Sequence, residues 1–236
     1  MKRKGFFISG TDTCVGKTTI AAALAFSMKK RGIDVGIMKP FATADRKYSP
    51  TFYSEDVMKL VMAADVSDGQ EDINPFFSSL PTAPYTASLI RKSKRVNFSS
   101  AVKCYSELAS IHDMMIVEGI GGILVPLTRT KNLADFAKAT NLPLIVVAQF
   151  RLGMINHILL TLSACYDYNL KVVGIILNDL SCWEETIKKK AIIKTIEKVS
   201  GVGVLATVPF IENATPSIIA YELEGYPRLI RKLVSS

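Results

Sequence analysis

The sequence has few of the residues that would indicate a secreted, membrane-bound or metal-stapled protein. It has four cysteines among 236 residues, and no two of them are spaced as Cys-x-x-Cys or grouped with histidine as zinc ligands are. No apolar run reaches the ~20 residues that a membrane-spanning helix needs. The apolar segment after the basic start ends at Ile8, which is too short for the core of a secretion signal. We therefore expect free thiols and a cytoplasmic protein.

The sequence also lacks the aromatic residues that a basic nucleic-acid-binding surface would need. Its net charge is +8, and the basic clusters lie at 29–31, 91–95 and 188–190. No aromatic side chain is interleaved in these clusters, whereas stacking on bases requires one. The first and third clusters lie on predicted helices and are typical of solvated faces. Small anionic substrates account for positive charge equally well, so we expect neither a nucleic-acid nor a membrane partner.

Short apolar runs alternate with helical patterns along the chain, and most of these runs are continuous rather than alternating. Continuous apolar runs are typical of strands buried on both faces of a parallel sheet. The predicted strands are 5–9, 35–38, 114–117, 144–148, 172–177 and 204–208. The predicted helices are 17–31, 55–64, 84–91, 99–110, 131–140, 154–168, 183–199 and 215–233.

This order predicts an α/β fold in which a doubly wound, mainly parallel sheet has helices on both faces. No internal repeat or low-complexity linker is present, so we expect residues 1–236 to form a single α/β domain. The longest irregular stretch is 65–83, which contains Asp68-Gly69 and Asn74-Pro75. An irregular stretch of this length is more often functional or mobile than inert.

The most informative stretch joins the first predicted strand to the first predicted helix. Residues 10–18 read Gly-Thr-Asp-Thr-Cys-Val-Gly-Lys-Thr, and an alanine-rich run with helical spacing follows. Free N–H groups and the helix dipole attract phosphates at such a helix start, where Lys17 can reach the outer phosphates and the Thr18 hydroxyl can bind Mg²⁺. Five residues separate the two glycines, where the strict phosphate loop has four. The alternative is an ordinary strand-to-helix turn that contains Gly-Lys-Thr by chance.

Two further charged residues come directly after predicted strands, at the edge of the sheet where open α/β folds bind ligands. Lys39 follows the strand 35–38, and we interpret it as a second cation for phosphoryl oxygens, with Thr43 as a hydroxyl neighbour. Glu118 ends the strand 114–117 and precedes glycines that allow a close backbone approach to a ligand. A carboxylate there resembles the acidic residue that holds Mg²⁺ in phosphate-loop enzymes. A surface lysine and a plain turn are the alternatives.

Asp56 has two competing interpretations. It lies in the first turn of a predicted helix behind Ser54, where an acidic side chain suits the helix dipole and Ser54 suits the N-cap. Its carboxylate is also a candidate Mg²⁺ ligand.

The ends of the last two predicted strands are placed to frame a purine. Asn178-Asp179 ends the fifth strand, and Pro209-Phe210-Ile211 follows the sixth. The guanine-specific pattern Asn-Lys-x-Asp is absent because Asp179 stands at the lysine position. This difference favours adenine.

Taken in order from residue 6 to about 211, these motifs resemble those of the ATP-dependent dethiobiotin synthetases of biotin biosynthesis. The opening Gly-Thr-Asp-Thr is more specific than Gly-Lys-Thr and accounts for the five-residue spacing. The sequence departs from the family pattern at Cys14, where relatives often have Glu or Gly, at Thr43, where Ser is common, and at Ile120, where Ala is usual. The motifs that carry the resemblance are 10–18, Lys39-Pro40 with Thr43, Asp56, 81–84, 117–122, 152–157 and Asn178-Asp179.

The resemblance implies a specific reaction. A 7,8-diaminononanoate is carboxylated with CO₂ (or bicarbonate), the carbamate is phosphorylated from MgATP, and closure of the ureido ring gives dethiobiotin, ADP and phosphate. An in-line transfer between two anions needs positive charge and positioning more than an acid or base. The resemblance therefore implies catalytic roles for Lys17 and Lys39.

The resemblance also implies ATP as co-substrate, Mg²⁺ as cofactor and a homodimer in which 152–157 meets the substrate tail across the subunit interface. The expected metal ligands are Thr18, Asp56 and Glu118. The expected substrate-binding residues are Thr13, Lys39, Thr43, Gly153 and Asn156. The expected nucleotide-binding residues are Thr13, Cys14, Val15, Gly16, Lys17, Thr18, Thr19, Asp56, Glu118, Gly119, Gly121, Asn178, Asp179, Pro209, Phe210 and Ile211.

Two other classes of phosphate-loop protein remain as alternatives. A partition-type or metal-insertion ATPase would act as a switch on the same fold. Such proteins usually carry a signature lysine early in the loop, where this sequence has Asp12. An amide-forming synthetase with a related loop usually has a further glutamine-handling domain, for which we expect no room in this chain.

Overall fold

The computed structural model describes residues 4–91, 95–181 and 186–234. The strands are β1 (Gly5–Gly10), β2 (Val35–Met38), β3 (Phe41–Thr43), β4 (Phe76–Ser78), β5 (Met114–Gly122), β6 (Leu144–Gln149), β7 (Val172–Asn178) and β8 (Val204–Val208). The helices are α1 (Lys17–Lys30), α2 (Glu55–Ala64), α3 (Gln70–Ile73), α4 (Pro84–Arg91), α5 (Phe98–Ile111), α6 (Leu133–Thr140), α7 (Met154–Asp167), α8 (Thr186–Ser200), α9 (Pro216–Glu224) and α10 (Pro227–Val234).

Six of these strands form one sheet in the order β2-β5-β1-β6-β7-β8, and all of its described strand pairs are parallel. Both faces of this sheet are buried, which explains the continuous apolar runs of the sequence. Within β1, Phe6 and Ile8 belong to one hydrophobic core and Phe7 to the other. Helices α1, α2, α9 and α10 cover the first core, and α5 to α8 cover the second. The predicted doubly wound α/β fold is therefore confirmed.

All six predicted strands are present, but a second sheet was not predicted. Strands β3 and β4 pair in parallel as a separate two-stranded sheet. Strand β4 and the short helix α3 lie inside the stretch 65–83, which we expected to be irregular. Each of these three elements has only three or four residues. Elements of this length are too short for apolar periodicity to reveal them.

The prediction of one helix over 215–233 was wrong, because two helices occupy this range. Helix α9 ends before Gly225, and α10 starts at Pro227. Proline has no N–H and is favoured in the first turn of a helix, so it separates the two here. Part of the predicted helix 183–199 lies outside the described residues, as does Cys182. The described part of that helix begins at Thr186.

The helix predicted over 131–140 begins two residues later, at Leu133, because Asn132 is its N-cap. The Asn132 side chain accepts a hydrogen bond from the Asp135 N–H, and Asp135 accepts one from the Asn132 N–H. This reciprocal capping box fixes the helix start.

Three of the four cysteines lie among the residues that the structure describes. Cys14, Cys104 and Cys165 are free thiols. Burial raises the pKa of the Cys165 thiol to about 12, which makes it unreactive. Within 4–91, 95–181 and 186–234, no helix combines the length and the apolar character needed to cross a membrane.

We expect Phe136 to contribute strongly to stability. Its ring is fully buried and lies edge-on to Phe41, with centroids 5.1 Å apart, and to Phe98, with centroids 6.0 Å apart. Phe136→Ala should lower the free energy of unfolding by about 3–5 kcal/mol, measured by urea denaturation. Tyr166 is 82% exposed, so the control Tyr166→Ala should change it by less than about 0.5 kcal/mol. Equal effects of the two changes would contradict the placement of Phe136.

Candidate active site

The carboxyl ends of β1, β2 and β5 meet at one edge of the central sheet and form the floor of a cavity of about 710 Å³. In parallel sheets ligands bind at this edge, because the loops and helix starts that follow the strands meet there. The residues that line the cavity are Thr13, Cys14, Gly16, Lys17, Thr18, Thr19, Lys39, Ala42, Thr43, Asp56, Lys59, Pro81, Thr82, Ala83, Glu118, Ile120, Gly121, Val125 and Leu180.

The loop between β1 and α1 is held against β7 by Asn178. The Asn178 side-chain amide donates a hydrogen bond to the Val15 carbonyl at 3.1 Å. Gly16, the N-cap of α1, has φ = 91°, in the left-handed region that favours glycine. A Cβ atom on Gly16 would lie 2.0 Å from the Asn178 amide nitrogen. Glycine is therefore required here both by backbone conformation and by the close approach of Asn178.

Lys17 folds back over this loop. Its Nζ donates a hydrogen bond to the Asp12 carbonyl at 2.7 Å, and the side chain is almost fully buried. Burial, followed by the positive charge of Lys39, lowers the pKa of Lys17 from its ordinary value of 10.5 to about 8. An anion in the cavity would oppose both effects, so Lys17 is suited to binding phosphate.

Lys39 connects two carboxylates at the centre of the site. Its Nζ lies 2.7 Å from Glu118 Oε1 and 3.0 Å from Asp56 Oδ2. Thr18 Oγ1 donates a second hydrogen bond to Glu118 Oε1 at 2.7 Å. The side chains of Lys39 and Glu118 are only 5% and 1% exposed, so this ion pair is shielded from water.

In this cluster, burial and ion pairing shift the pKa of each group in opposite directions. Burial alone would lower the pKa of Lys39, but the two carboxylates outweigh it and raise the pKa above its ordinary value. Burial raises the pKa of Glu118, and Lys39 opposes that rise. For Asp56, burial is outweighed by the contact with Lys39, and the pKa is lowered. We therefore treat Lys39 as a stable cation in the ligand-free protein.

The oxygen atoms of this cluster fit a hard divalent cation. Mg²⁺ prefers carboxylate, hydroxyl and water oxygens. Thr18, Asp56 and Glu118 supply such atoms on the wall of one cavity. Glu118 Oε2 is buried and has no hydrogen-bond partner, which is costly for a carboxylate oxygen. A cation would satisfy it.

The structure brings most of the predicted residues of the phosphate loop and the strand ends to one cavity. Thr13, Cys14, Gly16, Lys17, Thr18, Thr19, Lys39, Thr43, Asp56, Glu118 and Gly121 all line it. Other predicted residues lie beneath its wall: Val15, Gly119, Asn178 and Asp179 are buried in the fold. The Asp179 carboxylate accepts hydrogen bonds from Lys189 Nζ at 2.7 Å and from the Ser181 N–H at 3.1 Å.

Two predicted groups do not reach the cavity within one chain. Among the residues that the structure describes, its lining includes neither Gly153 and Asn156 nor the three residues 209–211. Gly153 is the N-cap of α7, and the neighbouring Leu152 is 93% exposed. Leu152, Gly153 and Asn156 therefore lie at the surface, whereas Met154 between them is buried.

Among the residues of the site that sequence reasoning did not assign are a lysine of the cavity wall and an asparagine behind it. Lys59 lines the cavity one turn after Asp56, and only its helical spacing could have indicated this. Asn74 contacts the backbone of Lys39 from the stretch 65–83. The only signal for Asn74 was the Asn-Pro pair, which also occurs in ordinary turns.

The fold and this loop define the chain as a phosphate-loop nucleotide-binding protein. Its structure resembles a ParA family ATPase from Chlorobium tepidum, with a TM-score of 0.54, 18% identity and coverage of 99% of this chain and 98% of that chain. It also resembles the MinD cell division protein of Aquifex aeolicus, with a TM-score of 0.55, 14% identity and coverage of 98% and 94%. At these identities the likeness shows the fold alone.

Sequence relatives identify the family. The family described as AAA domain matches residues 4–217. The ATP-dependent dethiobiotin synthetase BioD of Nitrosopumilus maritimus is 38% identical over 212 residues, which cover 89% of this chain and 90% of the relative. The enzyme of the same name from Bacillus subtilis strain 168 is 34% identical over 226 residues, which cover 96% of each chain. The chain therefore belongs to the ATP-dependent dethiobiotin synthetase family.

The lowered pKa of Lys17 predicts a specific pH dependence of ATP binding. In the ligand-free protein Lys17 is protonated below about pH 8 and neutral above it. The affinity for ATP should therefore be constant up to that pH and then fall by up to about tenfold per pH unit. Calorimetric titrations between pH 7 and pH 9.5 would measure this. In Lys17→Arg the guanidinium stays charged, so any binding that remains should lack the break. A flat wild-type profile would contradict a contact between Lys17 and phosphate.

Proposed function

We propose that this protein is an ATP-dependent dethiobiotin synthetase, a ligase that converts 7,8-diaminononanoate, CO₂ and ATP to dethiobiotin, ADP and phosphate. The observation that carries the proposal is the cavity in which Lys17, Lys39 and Glu118 meet, in a chain whose relatives bear this name. A cytoplasmic location is part of the proposal, because the reaction consumes ATP.

The chemistry joins two anions, and this makes positive charge the main requirement. One amine of the substrate adds to CO₂ and loses a proton, which gives a carbamate. A carbamate oxygen then attacks the γ-phosphorus of ATP, and ADP leaves. The second amine attacks the carbonyl carbon of this mixed anhydride, loses a proton and expels phosphate as the ring closes. No step requires an enzyme nucleophile.

In this proposal the two lysines neutralise negative charge at different places in the site. Lys17 lies on the phosphate loop at the start of α1, where backbone N–H groups and the helix dipole also favour the phosphate chain. Lys39 lies at the end of β2, beside Thr43 and the two carboxylates, and faces the reacting carbamate and γ-phosphate. Charged groups that are already in position need not move during the reaction, and they stabilise the negative charge that develops as the phosphoryl group is transferred.

Thr18, Asp56 and Glu118 would hold the Mg²⁺ that accompanies ATP. The unpartnered Glu118 Oε2 and the all-oxygen donor set support this assignment. When bound, the ion supplies charge neutralisation at the phosphate oxygens. Without it, Lys39 places its positive charge 2.7 Å from Glu118 and 3.0 Å from Asp56 and partly compensates their charge.

A homodimer accounts for the exposed segment at the start of α7. Gly153 and Asn156 are exposed and do not line the cavity of their own chain, among the residues described. In a dimer, the segment 152–157 of a second subunit would meet the carboxylate tail of the substrate. The start of α7 offers free N–H groups and the positive end of a helix dipole, which suit a carboxylate.

Product analysis tests the function directly. Purified protein is incubated with MgATP, ¹³C-bicarbonate and 7,8-diaminononanoate, and mass spectrometry should detect dethiobiotin that carries the label in its ureido carbon. Omission of any one substrate should abolish the product. ATP hydrolysis without labelled dethiobiotin would refute the proposed function and favour a phosphate-loop switch.

The two lysines should differ in their effects on turnover and on ATP binding. Lys39→Gln should lower kcat by roughly a hundredfold or more, the usual scale for the loss of one positioned electrostatic group. Lys17→Ala should abolish turnover and weaken ATP binding more than Lys39→Gln does, because it removes a contact within the phosphate loop. Steady-state kinetics and equilibrium ATP binding on folded proteins measure both effects.

Lys138 lies exposed on α6 away from the cavity lining, so Lys138→Gln is the matched control and should behave as wild type. If Lys39→Gln lowers stability but leaves turnover normal, Lys39 is a packing residue and the division between the two lysines is wrong.

The proposed metal ligands should control the Mg²⁺ requirement. Asp56→Asn and Glu118→Gln should each raise the Mg²⁺ concentration for half-maximal turnover by roughly tenfold or more, because even outer groups of metal sites have effects of this size. Glu55 is the neighbour of Asp56 on α2 and pairs with Lys59 at 2.9 Å, so Glu55→Gln is the control. If the two variants titrate with Mg²⁺ as Glu55→Gln does, the carboxylates are structural.

A further inference from the structure

The backbone of Lys39 is held from outside the central sheet. The pairing of β2 with β5 ends at Met38, opposite Val117, so Lys39 is the first residue beyond that ladder. Its N–H donates a hydrogen bond to the Ile73 carbonyl at 3.0 Å, and its carbonyl accepts one from the Asn74 side-chain amide at 2.6 Å. Both backbone polar groups of Lys39 are therefore bound by the last residue of α3 and the residue that follows it.

The Asn74 side chain links the backbone at Lys39 to the start of β4. It is 4% exposed, and its Nδ2 also donates a hydrogen bond to the Phe76 carbonyl at 3.1 Å. An amide nitrogen has two N–H donors, and here each binds one carbonyl. The Phe76 N–H in turn donates to the Pro40 carbonyl at 3.2 Å, which leads into the pairing of β3 with β4. Asn74 thus joins the start of both short strands.

The oxygen of the Asn74 side chain indicates that this residue is present for the hydrogen bonds that its nitrogen donates. Its Oδ1 is buried and has no hydrogen-bond partner. A buried unsatisfied oxygen is unfavourable, so the amide is explained by its two donated hydrogen bonds and not by its oxygen. An apolar side chain of the same shape would avoid that penalty, but it could not hold the Lys39 carbonyl.

We propose that Asn74 is a positioning residue for Lys39, an inference that rests on the proposed catalytic role of Lys39. The turn at Lys39-Pro40 directs the lysine side chain between Glu118 and Asp56, with its Nζ 2.7 Å and 3.0 Å from their oxygens. Pro40 has no N–H, so this turn is fixed by the Lys39 N–H and carbonyl together with the Pro40 carbonyl. Without Asn74, the Lys39 carbonyl loses its donor and the turn relaxes.

The main variant is Asn74→Ala, which removes both donors without adding a charge. We expect kcat to fall by roughly tenfold to a hundredfold, because a displacement of about 1 Å at a reacting centre has effects of this size. The dissociation constant for ATP should change by less than about twofold, since Lys17 and the phosphate loop are unaffected. Asn74→Leu has a similar shape and adds neither a donor nor a charge, so it measures the same loss if Asn74→Ala fails to fold.

A double-mutant cycle separates positioning from general destabilisation. If Asn74 acts through Lys39, then Asn74→Ala should cause no further fall in single-turnover rate in a Lys39→Gln background. Tyr105→Phe is the matched control, because the buried Tyr105 hydroxyl donates to the Thr140 carbonyl at 3.1 Å and neither residue lines the cavity. It should lower the melting temperature as Asn74→Ala does and leave kcat unchanged.

Each outcome decides the inference. A fall in kcat with intact ATP binding, absent in the Lys39→Gln background, supports it. Wild-type kcat in Asn74→Ala, or a loss that simply adds to that of Lys39→Gln, overturns it and leaves the role of Lys39 intact. Wild-type turnover in Lys39→Gln alone overturns the proposed role of Lys39 and the positioning inference with it.

Discussion

The buried contact between Lys39 and Glu118 is the interaction on which the arrangement of the site depends. A carboxylate that is 1% exposed at the end of a parallel strand is unfavourable unless an opposite charge lies beside it. Lys39 supplies that charge at 2.7 Å, and its own burial is tolerable only because two carboxylates face it. Asp56 supplies a second, partly exposed carboxylate to Lys39, and the Thr18 hydroxyl donates a hydrogen bond to Glu118. Removing Lys39 would leave the Glu118 carboxylate uncompensated inside the protein.

The parallel sheet makes such a cluster possible. Neighbouring parallel strands end at the same edge, so β2 and β5 deliver Lys39 and Glu118 side by side although they are far apart in the sequence. The two hydrophobic cores on either side of the sheet hold these strand ends in place. The phosphate loop is fixed to the same framework by the hydrogen bond from Asn178 to Val15 and by the close contact of Gly16. A rigid apolar scaffold thus supports a polar site whose groups could not remain buried alone.

Most of this framework is readable from the sequence, because its signals are local. Continuous apolar runs indicate strands buried on both faces, and charged residues directly after them indicate the ligand-binding edge. The parts that were missed depend on non-local pairing. Strands β3 and β4 have three residues each and exist because they pair with one another, with Asn74 joining their starts. Likewise, the expected roles of Gly153 and Asn156 depend on a second subunit, and the single domain over 1–236 stays a prediction.

The fold and the chemistry of this protein depend on different parts of the structure. A ParA family ATPase and the MinD cell division protein share the fold at 18% and 14% identity, so the fold by itself does not decide which reaction the site carries out. That choice depends on what faces the phosphate loop across the cavity. Here the facing wall carries Lys39 and Thr43, and a small second sheet attached through Asn74 holds the backbone of Lys39. The short, irregular elements outside the central sheet are therefore where the shared scaffold acquires its particular chemistry.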